Sequence, residues 1–107
     1  MSLLDEAPQK ILVVDDDVDI AGFVRMSLQV EGYDVAVAHD GLAALQMVRS
    51  YQPDLMILDV MMPELDGIEV LRRVRADPMT TALPVIVLTA KGQTPDKVIG
   101  LQAGADD

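Results

Sequence analysis

The sequence predicts an α/β domain built on an open, doubly wound parallel sheet. Three observations carry that prediction. Four short apolar runs recur along 107 residues. Three of the four are continuous rather than alternating, and segments of helical periodicity separate them. Continuous runs rich in β-branched residues suit strands covered on both faces. Strands that alternate with helices through right-handed crossovers stack into a parallel sheet with helices on its two sides.

Residues 1–9 are polar, contain Pro8, and read as a flexible lead-in to a domain spanning 10–107. The first run is Ile11-Leu12-Val13-Val14. A helix follows, with Ile20, Phe23, Val24 and Leu28 on one face and Gly32 as its stop. Val35-Ala36-Val37-Ala38 is the second run. The second helix runs from Gly41 to Ser50 with Leu42, Leu45 and Val48 as its apolar stripe, and Pro53 lies beyond it. Leu55-Met56-Ile57-Leu58 is the third run. Ile68, Leu71 and Val74 mark a third helix that ends before Asp77-Pro78. Val85-Ile86-Val87-Leu88 is the fourth run. Thr94-Pro95, a cap residue followed by a first-turn proline, opens a fourth helix.

Composition excludes several classes of function. Eighteen acidic residues against eight basic ones give a net charge of −10, which repels phosphate backbones and anionic membrane surfaces. With no cysteine there is no disulfide, thiol nucleophile or Cys-ligated zinc. The single histidine, His39, cannot build a multi-His metal site and reads as a surface residue. No apolar run approaches the roughly 20 residues that cross a bilayer, and the first residues lack the pattern of a signal peptide. A cytoplasmic protein is the expectation.

Sheets of this kind bind ligands outside the carboxyl ends of their strands. The residues that follow the runs are therefore the informative ones. Asp15, Asp16 and Asp17 follow the first run, Asp59 follows the third, and Thr89 follows the fourth. Carboxylates held together repel and raise one another's pKa, a cost that a cation relieves. The donors are all oxygens, so the cation is a hard one: Mg²⁺, with Mn²⁺ as a substitute. Mg²⁺ keeps positions open for phosphate oxygens, which points to phosphoryl transfer. Asp59 is then either a third ligand or a nucleophile. Thr89 is placed to stabilise charge on the transferring oxygens.

These segments resemble the receiver domains of response regulators. Ile11 to Asp17 resembles that family's first strand and acidic pair. Leu58-Asp59-Val60-Met61-Met62-Pro63-Glu64-Leu65-Asp66-Gly67 is similar to its phosphoacceptor segment, Pro84 to Ala90 to its fourth strand and switch hydroxyl, and Gly104 to Asp107 to the segment before its fifth strand. The resemblance implies the strand order 2-1-3-4, in a flavodoxin-like topology whose fifth strand and helix lie beyond residue 107. It implies Asp59 as phosphoacceptor, Asp16 as direct Mg²⁺ ligand, Asp15 as a ligand through water, the Met61 backbone carbonyl as third ligand, and Thr89 as the switch hydroxyl. It further implies a sensor histidine kinase or phosphotransfer protein as partner.

The sequence departs from the family at its end. The family's fifth-strand lysine and aromatic switch residue have no counterpart, and Lys91 is not an equivalent. Without strand five, strand four becomes an edge beside uncovered apolar surface, so the truncated chain is expected to self-associate.

Blander readings exist for several residues. Asp17 and Asp19 suit helix capping and the helix dipole. A calcium loop fails because Ile20 and Met26 stand where glycine and glutamate are needed. Asp66-Gly67 suits a turn or cap, and Arg72, Arg73 and Arg75 a solvated face. Two other functions compete. One is a pseudo-receiver that binds without reacting. The other is a haloacid-dehalogenase-type phosphatase, which the Asp at position 19 and the lack of room for a cap domain disfavour.

Overall fold

The computed structural model describes residues 8–62 and 64–88. Four strands, β1 (Lys10–Val14), β2 (Asp34–Ala38), β3 (Leu55–Asp59) and β4 (Val85–Leu88), alternate with three helices, α1 (Val18–Val30), α2 (Gly41–Ser50) and α3 (Gly67–Ala76). All strand pairs are parallel, and the order is β2-β1-β3-β4. Each expected strand and the first three helices lie where the sequence puts them. The helix expected from Thr94, Thr89 itself, and residues 1–7 of the expected lead-in lie outside the described residues.

Side-chain alternation along the strands divides the interior into two layers. Leu12, Val14, Met56, Leu58, Val85 and Val87 face a core completed by Ala44 and Val48 of α2 and Val70, Leu71 and Val74 of α3. Ile11, Val13 and Val35 face the other way and meet Ala21, Val24 and Leu28 of α1. Continuous apolar runs follow directly, because both faces of the central strands are covered.

Two apolar stripes differ from the sequence expectation. On α1, Ile20 and Phe23 are 49% and 72% exposed, whereas Ala21 is fully buried. The helix lies over β1 and β2. The small Ala21 permits that close approach, and the helix rotation that buries it turns Phe23 outward. On α2, Leu42 is exposed and the core contact is made by Ala44 and Val48. In both helices a small residue, rather than the largest apolar one, sets the packing face.

Each helix starts at the carboxyl end of a strand and is capped by an aspartate. Asp17 Oδ1 accepts from the amides of Asp19 (2.9 Å) and Ile20 (3.1 Å). Asp40 Oδ1 accepts from Ala43 N–H (2.7 Å), and Asp66 Oδ1 from Glu69 N–H (2.9 Å). Such caps are each worth about 1 kcal/mol. At its far end α1 closes through Gly32, whose φ of +99° suits glycine, with the Gly32 amide bonded to the Gln29 carbonyl at 3.0 Å. No helix among the described residues is long and apolar enough to cross a membrane.

Candidate functional site

The chain leaves β1 toward β2 on one side and crosses back to β3 on the other, so the topology reverses between the carboxyl ends of β1 and β3. That crevice is where open α/β sheets bind ligands. The register that pairs Val14 with Leu58 brings the next residues, Asp15 and Asp59, side by side. Among the described residues these two are the only buried charged side chains, at 7% and 6% exposure. Asp16 is exposed and stands with them: one carboxylate oxygen from each of Asp15, Asp16 and Asp59 lies within 4.8 Å of the others.

Local hydrogen bonds fix the two buried carboxylates. Asp15 Oδ1 accepts from the Asp17 amide at 2.9 Å. Asp59 Oδ1 accepts from the Met61 amide at 3.0 Å. The Asp15 backbone is tied to β2 twice. Its N–H donates to the Ala38 carbonyl at 3.1 Å, and its carbonyl lies 3.1 Å from Nδ1 of His39.

The loop after β3 is folded tightly onto the start of α3. Met62 N–H and Gly67 N–H both donate to the Val60 carbonyl, each at 3.1 Å. A Cβ at Gly67 would collide with the Asp59 carbonyl and lie 2.7 Å from Val60 Cα. Only glycine therefore lets α3 start this close behind Asp59.

Burial is the main reason that the Asp59 carboxyl is pushed up to about 6 from an ordinary 3.8. The Met61 N–H pulls the other way, and the charges of Asp15 and Asp16, with a hydrogen bond from Asp15, add to the rise. The amino ends of α1, α2 and α3 all face this side of the sheet, and their dipoles favour negative charge. The carboxylates still remain crowded, and a cation relieves the crowding directly.

The donor set fits a small hard cation. Oxygens around octahedral Mg²⁺ are about 3 Å apart when adjacent and about 4.2 Å when opposite. One oxygen from each of the three carboxylates lies within 4.8 Å of the others, so they would have to draw inward around a shared cation. Carboxylates with no nitrogen or sulfur donor among them suit Mg²⁺ or Mn²⁺.

The structure thus brings together Asp15, Asp16 and Asp59 as the sequence leads one to expect. It gives Asp17 and Asp66 to helix caps. Arg72 and Arg73 stand on an exposed face of α3, as expected, and pair there with Glu69 at 3.1 and 3.0 Å, while Arg75 donates to the backbone carbonyl of Thr81 at 2.9 Å. Thr89 lies outside the described residues. His39 is exposed, as expected, but its contact with the Asp15 carbonyl and the close packing at Gly67 were not foreseen from sequence. A glycine just before a predicted helix start was the one available signal for the second; nothing in the sequence marks the first.

Comparisons with known proteins agree with the geometry. The family model of the response regulator receiver domain matches residues 11–107. The chain is 48% identical over 104 residues to the DNA-binding response regulator MtrA of Mycobacterium tuberculosis H37Rv, covering 97% of this chain and 44% of that protein. It is similar to the solved receiver domain of the Francisella response regulator 1452, with TM-score 0.82 and 40% identity, covering 92% of this chain and 80% of that one. It is similar to the Vibrio cholerae chemotaxis protein CheY4, with TM-score 0.85 and 35% identity, covering 92% and 82%. The chain spans less than half the length of the curated relatives it matches.

The raised carboxyl has a signed consequence for stability. A proton on Asp59 favours the folded state, so its contribution is complete below about pH 4 and is lost as pH rises through about 6. In chelator-treated protein, Asp59→Asn is expected to raise unfolding stability at pH 8 by about 1–2 kcal/mol, the full linkage value being reduced because the crevice opens to water. At pH 4 the gain should vanish. Urea unfolding at the two pH values measures this, and an equal effect at both contradicts it.

Proposed function

The chain belongs to the response regulator receiver domain family, and on that premise we propose that it is a phosphorylation-controlled switch with Asp59 as phosphoacceptor. The observation that carries the proposal is the convergence of Asp15, Asp16 and Asp59 at the switch point of the sheet, with oxygens within 4.8 Å. A deprotonated Asp59 oxygen attacks the phosphorus of a phosphohistidine on a sensor histidine kinase or phosphotransfer protein. The new bond is O–P. The P–N bond breaks, and the imidazole nitrogen leaves with the electron pair and takes up a proton. Below about pH 6 the Asp59 carboxyl is protonated in the metal-free site and cannot attack.

Asp15, Asp16, Asp59 and the Met61 backbone carbonyl would hold Mg²⁺, which when bound neutralises charge on the carboxylates and the phosphoryl oxygens. Asp15, oriented by the Asp17 amide, keeps its carboxylate turned toward Asp59. Thr89, as the hydroxyl one residue beyond β4, would accept the role of sensing the phosphoryl group. Such a module acts on itself, assisting transfer and later hydrolysis, and is not an enzyme with a separate substrate. Its net charge of −10 disfavours contact with nucleic acid or an anionic membrane surface.

Self-association of the chain through β4 is also proposed: β4 is the edge strand among the described residues and carries the exposed Leu88.

Intact mass after incubation with Mg²⁺ and acetyl phosphate tests the chemistry. One phosphoryl adduct is expected, formed only when Mg²⁺ is present and absent in Asp59→Asn. No adduct, on either this chain or one extended past residue 107, contradicts the proposal. Sedimentation tests self-association: mass above the monomer, reduced in Leu88→Asp, is expected, and a monomer at all concentrations refutes it.

A further inference from the structure

The turn between β2 and α2 supplies no carboxylate to the site, yet it touches both loops that do. Its first residue, His39, has Nδ1 3.1 Å from the Asp15 backbone carbonyl. A carbonyl oxygen can only accept, so the ring nitrogen donates, and His39 is held as the Nδ1–H form when neutral. Its second residue, Asp40, caps α2. Its third, Gly41, lies against the loop after β3, where a Cβ would sit 2.6 Å from the Leu65 carbonyl.

The His39 bond falls at a particular place in the sheet. The Asp15 N–H to Ala38 carbonyl bond is the last backbone rung between β1 and β2. Beyond it β2 turns away, and the next bond to Asp15 comes from the His39 ring instead of from the backbone. The ring therefore extends the ladder by one rung. That rung ties down the peptide joining Asp15 to Asp16, the two adjacent acids of the cluster. Asp15 has a further restraint, through the Asp17 amide on its carboxylate. Exposed Asp16 takes its placement from the backbone.

We infer that His39 is a positioning residue for the metal: its Nδ1–H bond to the Asp15 carbonyl holds the Asp15–Asp16 peptide so that both carboxylates face Asp59. The inference rests on the proposed Mg²⁺ reading of the cluster. His39 touches no reacting atom and acts only through the backbone of its partner. Hydrogen-bond partners of this kind, one layer behind metal ligands, typically change metal affinity by about 10–100-fold when removed.

Three proteins test it: the wild type, His39→Ala, and His39→Asn, whose side-chain amide places a donor close to where Nδ1 stands. Calorimetric titration with Mg²⁺ alone gives each dissociation constant well below the unfolding temperature. Amide exchange in chelator-treated protein reports the loop at Asp16 and Asp17. His39→Ala should bind Mg²⁺ about tenfold more weakly and exchange faster at those amides, and His39→Asn should recover most of both. A residue that merely stabilised the fold would shift thermal unfolding without separating the two variants in Mg²⁺ affinity. Equal Mg²⁺ affinity in wild type and His39→Ala overturns the role of His39 while leaving the metal site standing. A wild type that takes up no Mg²⁺ overturns the metal reading beneath it.

Discussion

The burial and crowding of Asp15, Asp16 and Asp59 at one end of the sheet is the constraint around which the rest of the molecule is arranged. Two of these residues, Asp15 and Asp59, are buried at the floor of the crevice. Ionised groups so buried need a partner or a counter-charge. No lysine or arginine pairs with them among the described residues. What they have is amide donors from Asp17 and Met61, at 2.9 and 3.0 Å, and the facing amino ends of three helices. Those donors are enough to hold geometry and too few to offset burial, which with the added charges of Asp15 and Asp16 keeps Asp59 raised to about 6. The site is built for something positive to enter.

The scaffold supplies the precision. A parallel sheet sets every strand end on one side, and adjacent strands in register place Asp15 next to Asp59 without any loop having to reach. Gly67 lets α3 begin immediately behind Asp59. The aspartates show how position decides the role of one residue type. Asp17, Asp40 and Asp66 sit at helix starts in contact with water, and each accepts bonds from free amides. Asp15 and Asp59 end buried strands, and charge there is costly enough to imply a ligand.

Much of this was legible in the sequence because strand and helix signals agree with the fold. Apolar runs bounded by aspartate or proline gave strands to within a residue, and Gly32 and Pro53 marked helix ends. The crowded acids were legible because strand ends in such sheets converge whatever the loops do. Helix rotation was less legible. Periodicity put Phe23 and Leu42 on the buried faces, but close packing favoured Ala21 and Ala44, and apolar pattern alone does not weigh size. The His39 contact was invisible for a different reason. Its partner is a backbone carbonyl 24 residues away, and a backbone atom leaves no mark in sequence.

The central claim is that crowding of the three carboxylates is relieved by Mg²⁺. Calorimetric Mg²⁺ titration in two buffers of different ionisation heat measures it most directly, because the difference counts protons released on binding. At pH 6 the Asp59 carboxyl, with its pKa of about 6, is half protonated. Binding should then release about half a proton at pH 6, almost none at pH 8, and none attributable to this group in Asp59→Asn. Proton release that is the same at pH 6 and pH 8, or unchanged by Asp59→Asn, would contradict the account.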